Sequence, residues 1–594
     1  MCTISLGPPR RRWTPLATSS AVQATVDIHN TSHTSLSLRT TVIMAHQKDP
    51  TEMSTNWNHD FAILAGSLRP QLHHWTRPAL NVVKFEPDDS YFRLRKTLLM
   101  TDMGSFERRH WQSQEDFVLD FGIHTVGYLS MRVNAHAAHM DAPCRLRLTF
   151  GESPLDVTLG MDGVETWISK SWLPDEVVNI DTLPTTLSIP RRHAFRYVRV
   201  EIIATSPKYK VSFSNVSCDC VSAIAQTREI EAPRFSSESL RQIDQVSIFT
   251  LRDCMQEVFE DGPRRDRRLW LGDLRLQALA NYATFKDFNL VKRCILQFAA
   301  TPRQDGSIAA CIFDSPELMP STDYIVDYDA LFAAVVNDYV EASGDLSLGE
   351  ALYSTVLGCL KRPLSHLHQD THIFEASSAT GFKFLDWQPN LHRDAGCHGL
   401  LLYCLKAANH LASALEKPLP FEQEVLHMTS AARHFLDIDG KFVSGPEKQR
   451  SYASAAWLTL SGAFAPEVAR KALLGVLSDP TVVQPLTPYL WHYVCDALGS
   501  VGCLEKCIEL IQEYWGGMLQ AGADTFWEAF DPKDARASPY GDVRNNSFCH
   551  AWSCTPTYLL RVKLAERVIE SSQSQVSRMT MAQLDEDWIA RCSL

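Results

Sequence analysis

Carboxylates and guanidinium groups are packed most densely in one stretch of the chain, EDGPRRDRRLWLGD at residues 260–273. Asp261, Asp266 and Asp273 alternate there with arginines, and a helical pattern begins just after Trp270. Neighbouring carboxylates push their pKa values apart, whereas arginines and a helix N-terminus lower them. One carboxyl of such a group can keep its proton and act as a general acid if apolar neighbours desolvate it. The structural alternative is an ion-pair cluster with no catalytic role.

Three further loops combine an acidic or imidazole side chain with tryptophan. They contain Asp386 and Trp387 in KFLDWQPN (383–390), Trp527 and Glu528 in GADTFWEAF (522–530), and His550 and Trp552 in SFCHAWSC (547–554). A fourth stretch, STDYIVDYDALF (321–332), places aspartates at a helix entry, which helix N-termini favour without any chemistry. The loops precede predicted helices, and helix N-termini in a ring of helices can share one rim. Carboxylates and tryptophans gathered in one cleft are typical of sites that act on sugars.

The composition of the chain and the motifs it lacks limit the kinds of ligand that we expect it to bind. The chain has 594 residues, with 57 Lys plus Arg against 69 Asp plus Glu, a net charge of −12, so we expect no nucleic-acid partner. It contains no apolar run long enough for a transmembrane helix, so we expect no membrane partner. We found no zinc, dinucleotide, P-loop or nucleophile-elbow motif, and therefore expect no metal and no cofactor. The expected ligand is a small-molecule glycoside or an oligosaccharide; the oligomeric state is left open.

The apolar periodicity changes once along the chain. Runs such as FVLDFG (117–122) and CRLRLTFGE (144–152) alternate with a period of two. Twelve later segments have a helical period: 237–258, 271–287, 289–300, 322–342, 346–360, 394–414, 421–437, 450–463, 466–477, 487–500, 503–515 and 547–566. This predicts a β + α protein with a jelly-roll-like β-sandwich at 59–232 and an (α/α)6 barrel of six helical hairpins at 233–566. Residues 567–594 are predicted to be a C-terminal tail.

Residues 1–58 are predicted to be a disordered tail or to follow a misplaced translation start. The segment is rich in Arg and Ser and poor in acids, which is also a feature of mitochondrial transit peptides. It has no secretory signal pattern, so the prediction is a cytoplasmic protein, with mitochondrial targeting as the minor alternative.

Taken together, the motifs resemble those of the α-L-rhamnosidases of glycoside hydrolase family 78. Members usually carry D-C-P-Q-R-D-E-R-x-G-W-x-G-D, then a D-W loop, then F-W-E, and then C-H-A-W. This chain reads DGPRRDRRLWLGD (261–273), LDW (385–387), TFWE (525–528) and FCHAWS (548–553) in the same order. The segments at 120–128 and 147–152 resemble the family's β-sandwich, so the resemblance extends over roughly residues 60–565.

The resemblance implies an inverting glycosidase that releases a terminal deoxy-sugar. It places Glu528 on the family's general base, and it places Asp261 and Asp273 on acidic positions that bind sugar hydroxyls. His550, Trp387 and Trp270 fall on positions that shape the sugar pocket or contact the sugar. Further candidates for substrate binding in the same motifs are Arg265, Asp386 and Trp527.

The chain departs from the family at the general acid. The family's Glu is replaced by Arg267, and the segment is one residue shorter before Trp270. Arginine does not donate a proton at neutral pH, so either Asp273 or Asp266 takes the acid role, and the sequence favours Asp273 because it matches an acidic family position. The alternatives are a carbohydrate-binding pseudoenzyme, or a lyase or tailoring enzyme that uses the arginines at 264–268.

Overall fold

The structure is a computed structural model that describes residues 54–377, 381–570 and 577–592. The predicted N-terminal tail at 1–58 therefore lies outside the described residues, except for its last five. Those five are attached to the fold, because Thr55 pairs with Arg303 and the Asn58 side chain caps a helix that spans His59–Ser67.

The first half of the chain forms an antiparallel β-sandwich, as predicted. Its strands are His73–Pro78, Asn81–Pro87, Leu94–Met100, Asp116–Ala137, Cys144–Gly151, Asp175–Ile180, Thr185–Ser188, His193–Ala204 and Tyr209–Ser222. The 22-residue strand Asp116–Ala137 pairs with four of the others, and its register shifts between Asp120 and Thr125. Alternate residues, such as Leu146 and Leu148, face a closed apolar core, which is why the period of two was visible. Two short helices, Met103–Arg108 and Pro154–Leu159, lie in its connections.

The second half is helical. Its longer helices are Glu238–Cys254, Leu271–Ala283, Phe288–Ala299, Val326–Ser343, Leu346–Cys359, Asp394–Ala414, Glu422–Ala431, Tyr452–Leu460, Pro466–Leu477, Pro488–Ser500 and Leu504–Gln520. Each coincides with a predicted helix. The helix predicted at 547–566 is instead a series of short turns: Ala551–Ser553, Pro556–Tyr558, Leu559–Lys563 and Ala565–Val568. Its first part cannot be helical because the Phe548 and His550 N–H groups donate to Glu152 and to the Phe526 carbonyl.

Alternate helices form a closed inner ring. The helices that begin at Leu271, Val326, Asp394, Tyr452 and Pro488 pack in that order, and the turn Pro556–Tyr558 packs back against the first. The backbones approach closely: a Cβ on Gly399 would lie 2.5 Å from the Trp457 backbone. The inner helices begin at one rim, which confirms the predicted six-hairpin barrel and gathers the loops that precede them. Among the described residues, no helix has the length and apolar character to cross a lipid bilayer.

Part of the segment predicted as a C-terminal tail is built into the fold. Strand Ser577–Thr580 pairs with strand Glu229–Ala232, and helix Met581–Cys592 follows it. Asp585 of this helix is buried, and its carboxylate accepts hydrogen bonds from Arg77 at 2.5 Å and Arg252 at 2.6 Å. The helix thereby ties the β-sandwich to the first helix of the barrel.

Candidate active site

Glu528 lies in the loop that precedes the last inner-ring turn, and only 2% of its surface is exposed. Its backbone is fixed by Ser547, whose carbonyl accepts the Glu528 N–H at 2.9 Å, and by the Trp552 indole, which donates to the Glu528 carbonyl at 2.9 Å. Its carboxylate accepts hydrogen bonds from the Ser547 N–H at 3.1 Å, from Arg265 and from the Tyr540 hydroxyl. Together these contacts fix the orientation of the Glu528 carboxylate.

Arg265 joins two carboxylates. Its Nη2 lies 2.9 Å and 3.2 Å from the two oxygens of Glu528, and its Nη1 lies 2.7 Å from Asp266 Oδ1. Its Nε donates to the Asn545 carbonyl at 2.9 Å, and its guanidinium lies 4.0 Å from the centre of the Tyr540 ring. The planar fork therefore separates Glu528 from Asp266 by two hydrogen bonds and the width of a guanidinium.

Asp261 closes its own loop. Its carboxylate accepts the backbone N–H of Asp266 at 3.1 and 3.2 Å and that of Arg268 at 3.1 Å. A Cβ at Gly262 would meet the Arg265 carbonyl at 2.4 Å, so the turn needs glycine there. Burial, and then the charge of Asp266, raises the pKa of Asp261 well above its usual range.

Asp273 and His550 face each other across the floor of the site. Asp273 lies in the first turn of helix Leu271–Ala283, and its Oδ1 is 3.5 Å from His550 Nδ1. Both atoms are buried, and neither has a hydrogen-bond partner among the described residues. Burial, followed by the charges of Asp261 and Glu528, raises the pKa of Asp273 well above its usual range. Burial, followed by the charge of Arg265, lowers the pKa of His550 well below its usual value. Burial thus favours the neutral form of both groups.

The other arginines of the motif turn towards the β-sandwich or a neighbouring hairpin. Arg264 pairs with Asp156 at 3.0 and 3.1 Å, and Arg267 donates to the Arg192 carbonyl at 2.6 Å. Arg268 lies over the Phe313 ring at 4.4 Å. Burial and Arg192 lower the pKa of Arg267 to about 10, so it remains a cation at neutral pH. Among the described residues, no contact joins Arg267 to Glu528, Asp266 or Asp273.

Asp386 and Trp387 have different surroundings. Asp386 is fully buried and accepts the backbone N–H groups of Leu486 at 2.8 Å and Thr487 at 3.1 Å, so it fixes one rim loop to another. Burial raises the pKa of Asp386 to about 6. Trp387 is half-buried, and its ring lies 6.1 Å from that of Tyr540. Of the two, only Trp387 lies beside the carboxylate cluster.

The two remaining tryptophans predicted to bind substrate are held by packing. Trp527 is buried in a group of aromatic rings with Tyr91, Phe92 and Phe530 at centroid distances of 5.7, 5.4 and 5.6 Å. Tyr91 and Phe92 belong to the β-sandwich, so Trp527 joins the two halves of the protein. Trp270 is half-buried in a short strand, Leu269–Trp270, that pairs with Cys311–Phe313.

A buried ion network holds the loops that carry Glu528 and His550. The buried His124 imidazole lies 2.7 Å from Asp253 and 3.1 Å from Glu152. The backbone N–H of His124 donates to the Asp524 carboxylate at 2.9 Å. Burial alone would lower the pKa of His124, but Cys549 and the two carboxylates raise it well above its usual value. His124, Asp253 and Cys549 lie close enough together to hold a metal ion, yet both imidazole nitrogens already have carboxylate partners.

Tyr540 belongs to the candidate site, although no sequence feature predicts it. It contacts both Glu528 and Arg265, but it lies in DPKDARASPYGD (531–542), which matches no motif and has no periodicity. The only local signal is the Pro-Tyr-Gly turn, which predicts a loop and nothing more.

Two protein-family models match the chain. The glycosyl hydrolase family 78 alpha-rhamnosidase N-terminal domain matches residues 79–220, and the bacterial alpha-L-rhamnosidase six-hairpin glycosidase domain matches residues 230–459. No curated protein sequence matches the chain.

Solved structures agree with the family models. A rhamnosidase from Klebsiella oxytoca with rhamnose bound is 36% identical, with a TM-score of 0.82, over 86% of this chain and 99% of that one. A family 78 rhamnosidase of Bacillus sp. GL1 is 20% identical, with a TM-score of 0.62, over 75% of this chain and 46% of that one. A Streptomyces avermitilis α-L-rhamnosidase complexed with L-rhamnose is 16% identical, with a TM-score of 0.58, over 83% of this chain and 44% of that one. The last two show a shared fold. The Klebsiella likeness, which extends over nearly the whole of that enzyme, establishes more: this chain belongs to the α-L-rhamnosidases of glycoside hydrolase family 78.

Proposed function

We propose that this glycosidase hydrolyses terminal α-L-rhamnosides with inversion, using Glu528 as general base and Asp266 as general acid. The observation that carries the proposal is the pair of carboxylates held on two nitrogens of Arg265, at 2.9 and 2.7 Å. Inverting glycosidases hold their two carboxyl groups about 6.5–9.5 Å apart, so that a water fits beside the base. Arg265 binds each of the two groups through a different nitrogen and so keeps them apart. The Klebsiella relative, solved with rhamnose bound, supports the choice of sugar.

Glu528 has the features of a base. Arg265, Tyr540 and the Ser547 N–H fix the direction of its carboxylate, which aligns a water molecule for attack on the anomeric carbon. The proton that the water loses goes to Glu528, while the bond to the leaving oxygen breaks.

Asp266 suits the acid role because it lies on the solvent side. Its side chain is 18% exposed, whereas those of Glu528 and Asp273 are 2% and 3% exposed. In an exo-acting pocket the sugar fills the floor and the leaving group departs towards solvent, so the proton donor belongs at the mouth. This reverses the preference for Asp273 that the sequence alone suggested.

Asp273 and His550 suit the floor of the pocket. Their Oδ1 and Nδ1 atoms lie 3.5 Å apart and have no hydrogen-bond partner among the described residues, so both can bind the hydroxyls of a sugar. Burial favours the neutral form of each group, and a neutral group binds a hydroxyl without burying an unpaired charge.

Hydrolysis is also favoured over the pseudoenzyme and lyase alternatives. The pseudoenzyme alternative rested on the loss of the family's acid at Arg267, and the lyase alternative on the arginines at 264–268. Arg267 donates to the Arg192 carbonyl and Arg264 pairs with Asp156. Arg265 binds both Glu528 and Asp266, so two carboxylates that can serve as base and acid remain in the site.

The test uses purified protein and a panel of nitrophenyl glycosides. We expect nitrophenol release from the α-L-rhamnoside in preference to other sugars, and loss of turnover with retained rhamnose binding in Glu528→Gln. Rhamnose binding with no hydrolysis of any nitrophenyl glycoside by the wild type contradicts the proposal and supports the pseudoenzyme.

A further inference from the structure

Trp167 is a large exposed aromatic residue beside the site, and the family motifs do not include it. It lies in the β-sandwich half, in the connection between helix Pro154–Leu159 and strand Asp175–Ile180. Its surface is 44% exposed, yet its indole N–H donates to the Pro539 carbonyl at 2.9 Å. The neighbouring Thr166 hydroxyl donates to the Tyr540 carbonyl at 2.9 Å. The indole is therefore oriented by the catalytic loop while its surface remains accessible.

One aromatic ring separates Trp167 from the proposed base. The Trp167 and Tyr540 rings lie 5.6 Å apart at 42°, and the Tyr540 hydroxyl donates to Glu528. On its other side the Tyr540 ring lies 6.1 Å from that of Trp387, at 73°. The three rings form a continuous aromatic wall from the carboxylates outwards, and Trp167 is its exposed end.

The position and chemistry of this surface identify its ligand. Buried indoles contribute to the core, whereas an exposed indole with a fixed orientation offers an apolar face that other flat groups cover well. In an exo-acting glycosidase, the part of the substrate that lies outside the sugar pocket is the aglycone.

We propose that Trp167 binds the aglycone by stacking, and that it makes the enzyme selective for planar aromatic aglycones over aliphatic ones. The inference rests on the proposed function, since an aglycone is present only if the protein acts on a glycoside. Trp167 is thus a specificity residue contributed by the β-sandwich to a site whose acid and base come from the barrel.

The test compares variants on three α-L-rhamnosides with methyl, cyclohexyl and 2-naphthyl aglycones. For each substrate the variant is compared with the wild type, so differences in leaving-group reactivity cancel. We expect Trp167→Ala to raise KM for the naphthyl substrate by about three- to tenfold, with kcat and the methyl substrate little changed. Trp167→Phe keeps an aromatic face without the N–H and should retain part of the preference.

Trp57 provides the matched control. It is a 38% exposed tryptophan that stacks on His59, within the first described residues of the chain. Trp57→Ala should leave the three KM values unchanged.

Equal losses on all three substrates would mean that Trp167 only supports the Tyr540 loop, and would overturn the inference while leaving the proposed function intact. No change on any substrate would overturn it as well. If the wild type hydrolyses none of the three, the proposed function fails and the inference fails with it.

Discussion

Arg265 holds both oxygens of Glu528 from a single nitrogen, with Nη2 at 2.9 Å from Oε2 and 3.2 Å from Oε1. The same side chain reaches Asp266 through its other terminal nitrogen. One guanidinium thereby sets the position of both proposed catalytic groups, and a point charge on a flexible stem would not reproduce that geometry.

Arg265→Lys should lower kcat on the nitrophenyl rhamnoside by about 10²-fold with the fold intact, because small misplacements of catalytic groups have effects of that size. Steady-state kinetics and a thermal unfolding curve check this. Arg268→Lys is the control, since Arg268 lies over Phe313 and contacts neither carboxylate. A wild-type kcat in Arg265→Lys would show that the guanidinium does not position the carboxylates.

Asp266→Asn and Asp273→Asn should distinguish the general acid from the carboxyl that binds the sugar at the floor of the pocket. A general acid contributes about 10²–10⁴-fold, chiefly for leaving groups that need a proton. We expect Asp266→Asn to lose that factor on alkyl rhamnosides but much less on the dinitrophenyl rhamnoside. Asp273→Asn should lose activity on both and bind rhamnose more weakly. The reverse pattern would assign the acid to Asp273.

The raised pKa of Asp273 predicts a dependence of stability on pH. A carboxyl whose pKa is higher in the folded state gives its full stability below the unfolded value near 4, and the stability is lost as pH rises through the folded pKa. Asp273→Asn removes this loss. The variant should match the wild type in Tm at pH 4 and exceed it at pH 8.

Differential scanning calorimetry over that pH range measures the effect. Asp370→Asn, in an exposed loop, controls for the removal of a charge. A Tm difference that does not change with pH would contradict a raised pKa for Asp273 in the folded protein.

The C-terminal helix should contribute strongly to stability through Asp585. Asp585→Ala leaves Arg77 and Arg252 buried without this partner. Breaking a buried pair in this way lowers the free energy of unfolding by about 3–5 kcal/mol. Asp587 lies on the same helix as Asp585 and forms a partly exposed ion pair with Arg241. Asp587→Ala should lower the free energy of unfolding by less than about 1 kcal/mol. Urea unfolding of both variants tests the difference; similar midpoints would mean that the helix is not held by Asp585.

Much of the fold could be predicted because periodicity records which face of an element is buried. The helix Asp394–Ala414 and the strand Cys144–Gly151 coincide closely with their predicted segments. The segment after residue 566 is polar, which predicts a tail. Its binding depends on one buried carboxylate, Asp585, whose partners lie more than 300 residues away in the sequence.

The site could be predicted only in part, since motifs give residue types and not directions. Glu528, Asp273 and His550 were identified by their motifs and lie together. The direction of Arg267 depends on the Arg192 carbonyl in the β-sandwich, and Tyr540 reaches Glu528 from a loop with no pattern. Asp386 matches a motif, yet its carboxylate holds Leu486 and Thr487. These contacts are long-range, and no local rule contains them.

The most direct test of the central claim is the anomer first released from an α-L-rhamnoside, followed by ¹H NMR before the sugar mutarotates. Glu528 and Asp266, held apart by Arg265, predict that β-L-rhamnose appears first and α-L-rhamnose follows by mutarotation. Initial release of α-L-rhamnose would mean a covalent intermediate and a nucleophile in place of a base, and would contradict the account.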